Sequence, residues 1–161
     1  MKNLKNILVT LLVVLGLTSC VSVNKSNMEF VNSDEFDSKS SMVAVNVPMV
    51  LAKPFVVKSL KKDKESAETI ALMKSVKKVK ILAMDQSNGT VTENFETYKK
   101  QNGLEELLTI NNEGNEVKLI GAQDQDELNR LLLNVKSSDG EMVFIDLKGK
   151  FKKSDLAKLM K

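Results

Sequence analysis

The chain has 161 residues, 24 Lys and Arg against 21 Asp and Glu, a formal net charge of +3, one Cys, no His and no Trp. Without histidine and with a single thiol, the commonest general base, the usual zinc-ligand set and any intrachain disulfide are excluded. Charges of both signs are interspersed and aromatic residues make up only 4% of the chain. There is thus no basic, stacking surface of the kind nucleic acid requires, and no nucleic-acid partner is expected.

Residues 1–19 read as an export signal, with Lys2 and Lys5 ahead of an apolar run from Ile7 to Leu17 and small residues Thr18 and Ser19 before the cleavage point. The run falls short of the roughly twenty apolar residues a spanning helix needs. Leu17-Thr18-Ser19-Cys20 resembles the bacterial lipobox. That resemblance implies cleavage before Cys20, a diacylated thiol and an acylated new amine, with the lipid bilayer as the partner reached through Cys20. Each buried methylene contributes about 0.8 kcal/mol, so two or three chains anchor far better than one. Val21 and Ser22 follow the cysteine without an acidic residue, and bacterial sorting by resemblance then favours the outer membrane and its periplasmic face. Loss of Lys2 and Lys5 with the signal lowers the mature charge from +3 to +1.

Residues 20–41 are rich in Ser, Asn and charge, with Met28, Phe30 and Phe36 at no regular period. They are expected to form a flexible tether with an end-to-end distance of roughly 25 Å. One domain is expected over 42–161. Its first strand is Met42–Val47, followed by a helix opening at Pro48, which Pro54 should kink or end early. A second helix spans Ser66 to Val76 and a strand Lys77 to Met84, with Val79 and Ile81 facing inward. Asp85-Gln86-Ser87-Asn88-Gly89 is a turn, since counting from Asp85 puts glycine fifth rather than sixth and so fails the calcium-loop spacing; no metal site is expected. Thr90 and Glu93 form a capping-box pattern for a helix through Lys100.

Four further strands are expected at Leu104–Ile110, Glu116–Gly121, Leu128–Lys136 and Glu141–Lys148, joined by glycine turns at Gly114 and Gly140. Lys153-Ser154-Asp155 caps a last helix that presents Leu156, Leu159 and Met160 to the core. The expected fold class is α+β: a largely antiparallel, mixed sheet of five or six strands with three or four helices in a single domain.

Val76-Lys77-Lys78-Val79-Lys80-Ile81-Leu82, Leu104-Glu105-Glu106-Leu107-Leu108-Thr109-Ile110 with Val117, and Leu131-Leu132-Leu133 leading through Asp139-Gly140 to Val143-Phe144-Ile145-Asp146-Leu147-Lys148-Gly149 carry a family likeness. Over most of the mature chain it resembles the small Bacteroidota lipoproteins grouped as domain of unknown function 4252. The resemblance implies export and lipidation, and it supplies no catalytic residue and no cofactor.

For catalysis the strongest cluster is Asp124, Asp126 and Glu127, an acidic turn between strands whose ordinary role is solvation. The lysine clusters at 61, 62 and 64, at 77, 78 and 80, and at 148, 150, 152 and 153 read as solvated faces, with acidic headgroups or glycans as the alternative. Strand parity supplies the interaction argument. If Val143, Ile145 and Leu147 face the helices, then Leu132, Met142, Phe144, Ile120, Leu82 and Met84 share a half-apolar opposite face. Left open, that face would dock another envelope protein or a lipophilic ligand; covered by an amino-terminal helix, it would be core. The expected function is a non-catalytic, lipid-anchored envelope module, with a carboxylate-dependent enzyme or a glycan or lipid binder as the alternative.

Overall fold

The computed structural model describes residues 21–23, 25–32, 42–64, 67–85, 89–122 and 126–159. Seven strands and four helices follow in chain order: β1 Val21–Val23, β2 Met42–Val47, α1 Met49–Lys62, α2 Ala67–Ser75, β3 Val76–Met84, α3 Gly89–Gln101, β4 Leu104–Asn112, β5 Asn115–Ala122, β6 Glu127–Lys136, β7 Met142–Lys152 and α4 Lys153–Leu159. The strands form one sheet in the order β1-β2-β3-β7-β6-β5-β4, and each neighbouring pair is antiparallel. This is the expected α+β domain, with one strand more than expected and no parallel pair among those described.

Two hairpins build the β4–β7 half. The two-residue turn of β4 and β5 needs positive φ at both central positions, supplied by Glu113 at 50° and Gly114 at 81°. The β6–β7 turn is closed by Ser137 N–H donating to Glu141 O at 2.9 Å. From β3 the chain instead crosses through α3 to the far edge, so β7 returns to pair with β3 in the middle of the sheet. At the junction of α2 and β3 a Cβ on Gly149 would stand 2.6 Å from the Ser75 carbonyl oxygen, so only glycine lets β7 run beneath that corner.

Strand alternation sorts the core into two layers. One face carries Ala44, Leu82, Phe144, Leu132 and Ile120, and it is closed by Val91, Phe95 and Tyr98 of α3 and by Met28, Phe30 and Val31. The other carries Val79, Leu131, Leu128 and Phe151, packed with Met49 of α1 and Leu156 of α4. Bulges at Val76/Lys78 and Leu128/Arg130 shift the parity where α2 and α4 meet the sheet.

Several local expectations change. Residues 21–23 and 25–32, read as tether, belong to the folded body: Val21–Val23 pair with β2, and Met28, Phe30 and Val31 are buried. Phe30 stacks its ring 4.7 Å from Phe95 and 4.9 Å from Phe144, so burial of aromatic surface overcomes the polar composition of the segment. The rest of that span, 33–41, lies outside the described residues, as does residue 24. α1 neither ends nor shortens at Pro54 but runs on to Lys62. Pro54 is exposed on the outer side of the helix, and the only donor it removes would have served the carbonyl of Val50, itself an exposed residue. α3 already includes Gly89, so Thr90 lies within its first turn rather than capping it.

Candidate functional site

Beneath α3 the closed face contains a buried ion pair. Asp146 of β7, 1% exposed, receives a two-pronged bond from Arg130 of β6, with Nε to Oδ1 at 2.8 Å and Nη2 to Oδ2 at 2.9 Å. Arg130 Nη1 also donates to the Tyr98 hydroxyl, which itself donates to Glu29 Oε2 at 2.8 Å. Four charged or phenolic groups from β6, β7, α3 and the 25–32 segment thus form one chain from core to surface. Burial opposes the Arg130 charge, but the hydrogen bonds and charge of Asp146 outweigh it and hold the guanidinium above its ordinary value. Burial, then the bond to Glu29, raises the Tyr98 phenol, whereas that same bond holds the Glu29 carboxyl below the usual range.

Chemically this chain is a latch. Each donor meets an acceptor, and the arginine and aspartate are matched in charge, so it fixes α3 and the 25–32 segment on the sheet. Lys80 Nζ adds a bond to Asn27 O at 2.8 Å, and Asn27 Nδ2 donates to Val45 O at 3.1 Å. Along α3 a second cluster joins Lys99 to Glu96 at 2.7 Å and to Glu106 at 3.1 Å, with Lys118 on the same Glu106 at 3.4 Å.

The opposite face differs along its length. Helices α1, α2 and α4 cover the end marked by Val47, Val79, Leu147 and Leu131. Toward the hairpins, Val43, Val143, Leu133, Val135, Val117 and Ile110 join neither core cluster. Val143, Leu133, Val135 and Val117 are only half-buried, and Val43 and Ile110 are exposed at 38% and 50%. Register aligns Val43 beside Ala83, Val143, Val135, Val117 and Ile110 in one row across the sheet. This is a continuous apolar band, and the next residues of the same strand parity beyond it, Asp85, Glu141, Asn115 and Asn112, are exposed and polar.

Leu132, Met142, Phe144, Ile120, Leu82 and Met84 do share one face, as parity requires, but each is at most 5% exposed. The docking surface expected there is core, because α3 and the 25–32 segment, rather than an amino-terminal helix, cover it. The open band lies among the residues expected to face helices, since those helices reach only half the strand length. Cys20 lies outside the described residues, as do Asp124 and positions 86–88 of the polar turn; Leu159 lies in α4, and Met160 is outside. Asp126 and Glu127 are exposed, and Glu127 pairs with Lys150 at 3.6 Å. Among the described residues no three His, Cys, Asp or Glu side chains gather as a metal site would, and no helix is long and apolar enough to cross a membrane.

The Arg130–Asp146 pair was not singled out from sequence, although an aspartate inside the apolar run Met142–Leu147 is a readable sign of a buried partner.

Fold and faces together define a single-sheet α+β domain, closed on one side and half open on the other. The chain belongs to the family described as Domain of unknown function (DUF4252), whose sequence profile matches residues 36–159. β1 and the 25–32 segment precede that match, yet β1 adds an edge strand to the sheet and Met28, Phe30 and Val31 complete the core. No curated protein and no solved structure matches the chain.

Proposed function

We propose that the chain is a lipid-anchored protein of the bacterial cell envelope, held at the periplasmic face of the outer membrane through acylated Cys20, and that it works by docking another envelope protein rather than by catalysis. The observation that carries the docking reading is the open apolar band from Val43 to Ile110. An apolar centre with a polar rim is the anatomy of a protein interface. The band also ends on β4, the last strand of the sheet, where Leu107-Leu108-Thr109-Ile110-Asn111-Asn112 carries no charge. An uncharged edge strand offers backbone donors and acceptors to a partner strand, which a protein can use and a lipid or glycan cannot match as fully.

Support for the anchor is the sequence Leu17-Thr18-Ser19-Cys20 after a short apolar segment. In cells, Cys20→Ala should move the protein from the membrane to the soluble fraction, and unchanged fractionation would contradict the anchor. Ile110→Lys, at an exposed position, should reduce the size of the native complex extracted from membranes while leaving the fold intact. A complex of unaltered size would contradict docking at the band.

A further inference from the structure

The outward stripe of α1 is at odds with a helix that merely covers a core. Only Met49 of this helix is fully buried, while Val50, Leu51 and Phe55 are 88%, 69% and 76% exposed, the largest such exposures among the described apolar residues. Val50, Leu51, Pro54 and Phe55 fall one turn apart on one side, and Lys58, Lys61 and Lys62 continue the same stripe toward the helix end. Residues 49–64 contain five lysines and one aspartate, a net +4, whereas the mature chain after residue 19 carries only +1; the remainder of the mature chain is therefore at −3. The charge is concentrated where the exposed apolar groups are.

Register adds a second, independent argument. Val21 pairs with Val45, and β2 then runs toward Val47 and into α1. The chain thus enters the sheet at the end where α1 begins. Six residues separate Val45 from Leu51, a span of at most about 20 Å, and neighbouring strands lie about 5 Å apart. Residue 20 directly precedes Val21, so an acyl group there has no tether to hold this end of the domain away from the bilayer. The band from Val43 to Ile110 lies toward the other ends of the strands.

We infer that the outward face of α1 lies on the anionic headgroup surface of the bilayer that carries the acyl anchor, with Val50, Leu51 and Phe55 in the interfacial layer and Lys58, Lys61 and Lys62 over the phosphates. This inference rests on the lipid-anchor reading for which bilayer is met, but the surface itself is defined by α1. Lysine-rich amphipathic helices bind in this way because apolar burial and attraction to anionic lipid add together. The contact would give the anchored domain one orientation, with the strand ends that carry the open band farther from the anchor than the ends beside α1.

The test uses the chain from residue 20 onward with Cys20→Ser, which keeps every described element and carries no lipid. Cosedimentation with phosphatidylglycerol-containing vesicles should exceed that with pure phosphatidylcholine vesicles by at least about tenfold, and added salt should weaken it. Replacing Lys58, Lys61 and Lys62 together by Gln should reduce binding roughly hundredfold, at about fivefold per lysine. Leu51→Asp with Phe55→Asp should abolish it while the circular dichroism spectrum is retained. Equal binding to both vesicle types, or none to either, would overturn the inference. So would a dimer in sedimentation that Leu51→Asp with Phe55→Asp converts to monomer, since the stripe would then join two copies. The anchor is read separately from the mass of native Cys20, so its failure and that of the α1 contact are distinguishable.

Discussion

The two faces of the sheet are built from the same strands and the same alternation, yet one is sealed and the other is not. On the sealed face Phe30, Phe95, Tyr98 and Phe144 interlock with ring centroids 4.7 to 5.3 Å apart, and the Asp146–Arg130–Tyr98–Glu29 chain locks the layers together. On the other face three helices meet the sheet over one end only, leaving the row from Val43 to Ile110 half exposed. Hydrophobicity of the strands therefore does not decide which surface is available. What decides it is the element that lies above, and here an irregular eight-residue segment with one helix covers more than three helices do.

The contrast can be broken by truncation. Phe144→Ala at 0% exposure, or Phe30→Ala at 5%, should each cost about 3–5 kcal/mol, because both leave cavities in a well-packed aromatic cluster. Ile110→Ala at 50% exposure should change stability by less than about 0.5 kcal/mol in the isolated chain. Urea unfolding of the three variants checks the asymmetry, and equal losses would show that the open band is core after all.

A smaller effect sharpens the same comparison through pH. The bond from Tyr98 lowers the Glu29 carboxyl, so its contribution to the folded state is full above the unfolded value of about 4.3 and is lost as the pH falls through the lower folded value. The same sign holds for Glu106, lowered by its bond from Lys99. Glu29 is exposed, which keeps the effect small. Amides of residues 28–31 should lose hydrogen-exchange protection in acid relative to those of β7, and Glu29→Gln should flatten that difference. Parallel behaviour of the two segments would place the latch elsewhere.

Much of this architecture is legible in the chain. Met42–Val47, β3 and the four carboxy-terminal strands announce themselves through branched apolar residues, and the β4–β5 turn through Asn112-Glu113-Gly114-Asn115. Parity also separates the two sets of strand residues correctly. The identity of the covered face is not legible, because it depends on Phe30 meeting Phe144 across more than a hundred residues, and no local period encodes that contact. The 25–32 segment is equally silent, since its polar composition looks like a tether while its three apolar groups insert into the sheet. Asp146 was readable as out of place, but its partner Arg130 emerges only once the bulge at Leu128/Arg130 sets the register.

The central claim, that the half-open face engages a partner while the sealed face serves as core, is tested most directly by photocrosslinking in intact cells. A photoreactive residue at Val117 on the band should yield one discrete adduct with another envelope protein, lost in Ile110→Lys, whereas the same residue at exposed Thr97 on α3 should yield none. Equal adducts from both positions, adducts from Thr97 alone, or a Val117 adduct that is only a second copy of this chain would contradict the account.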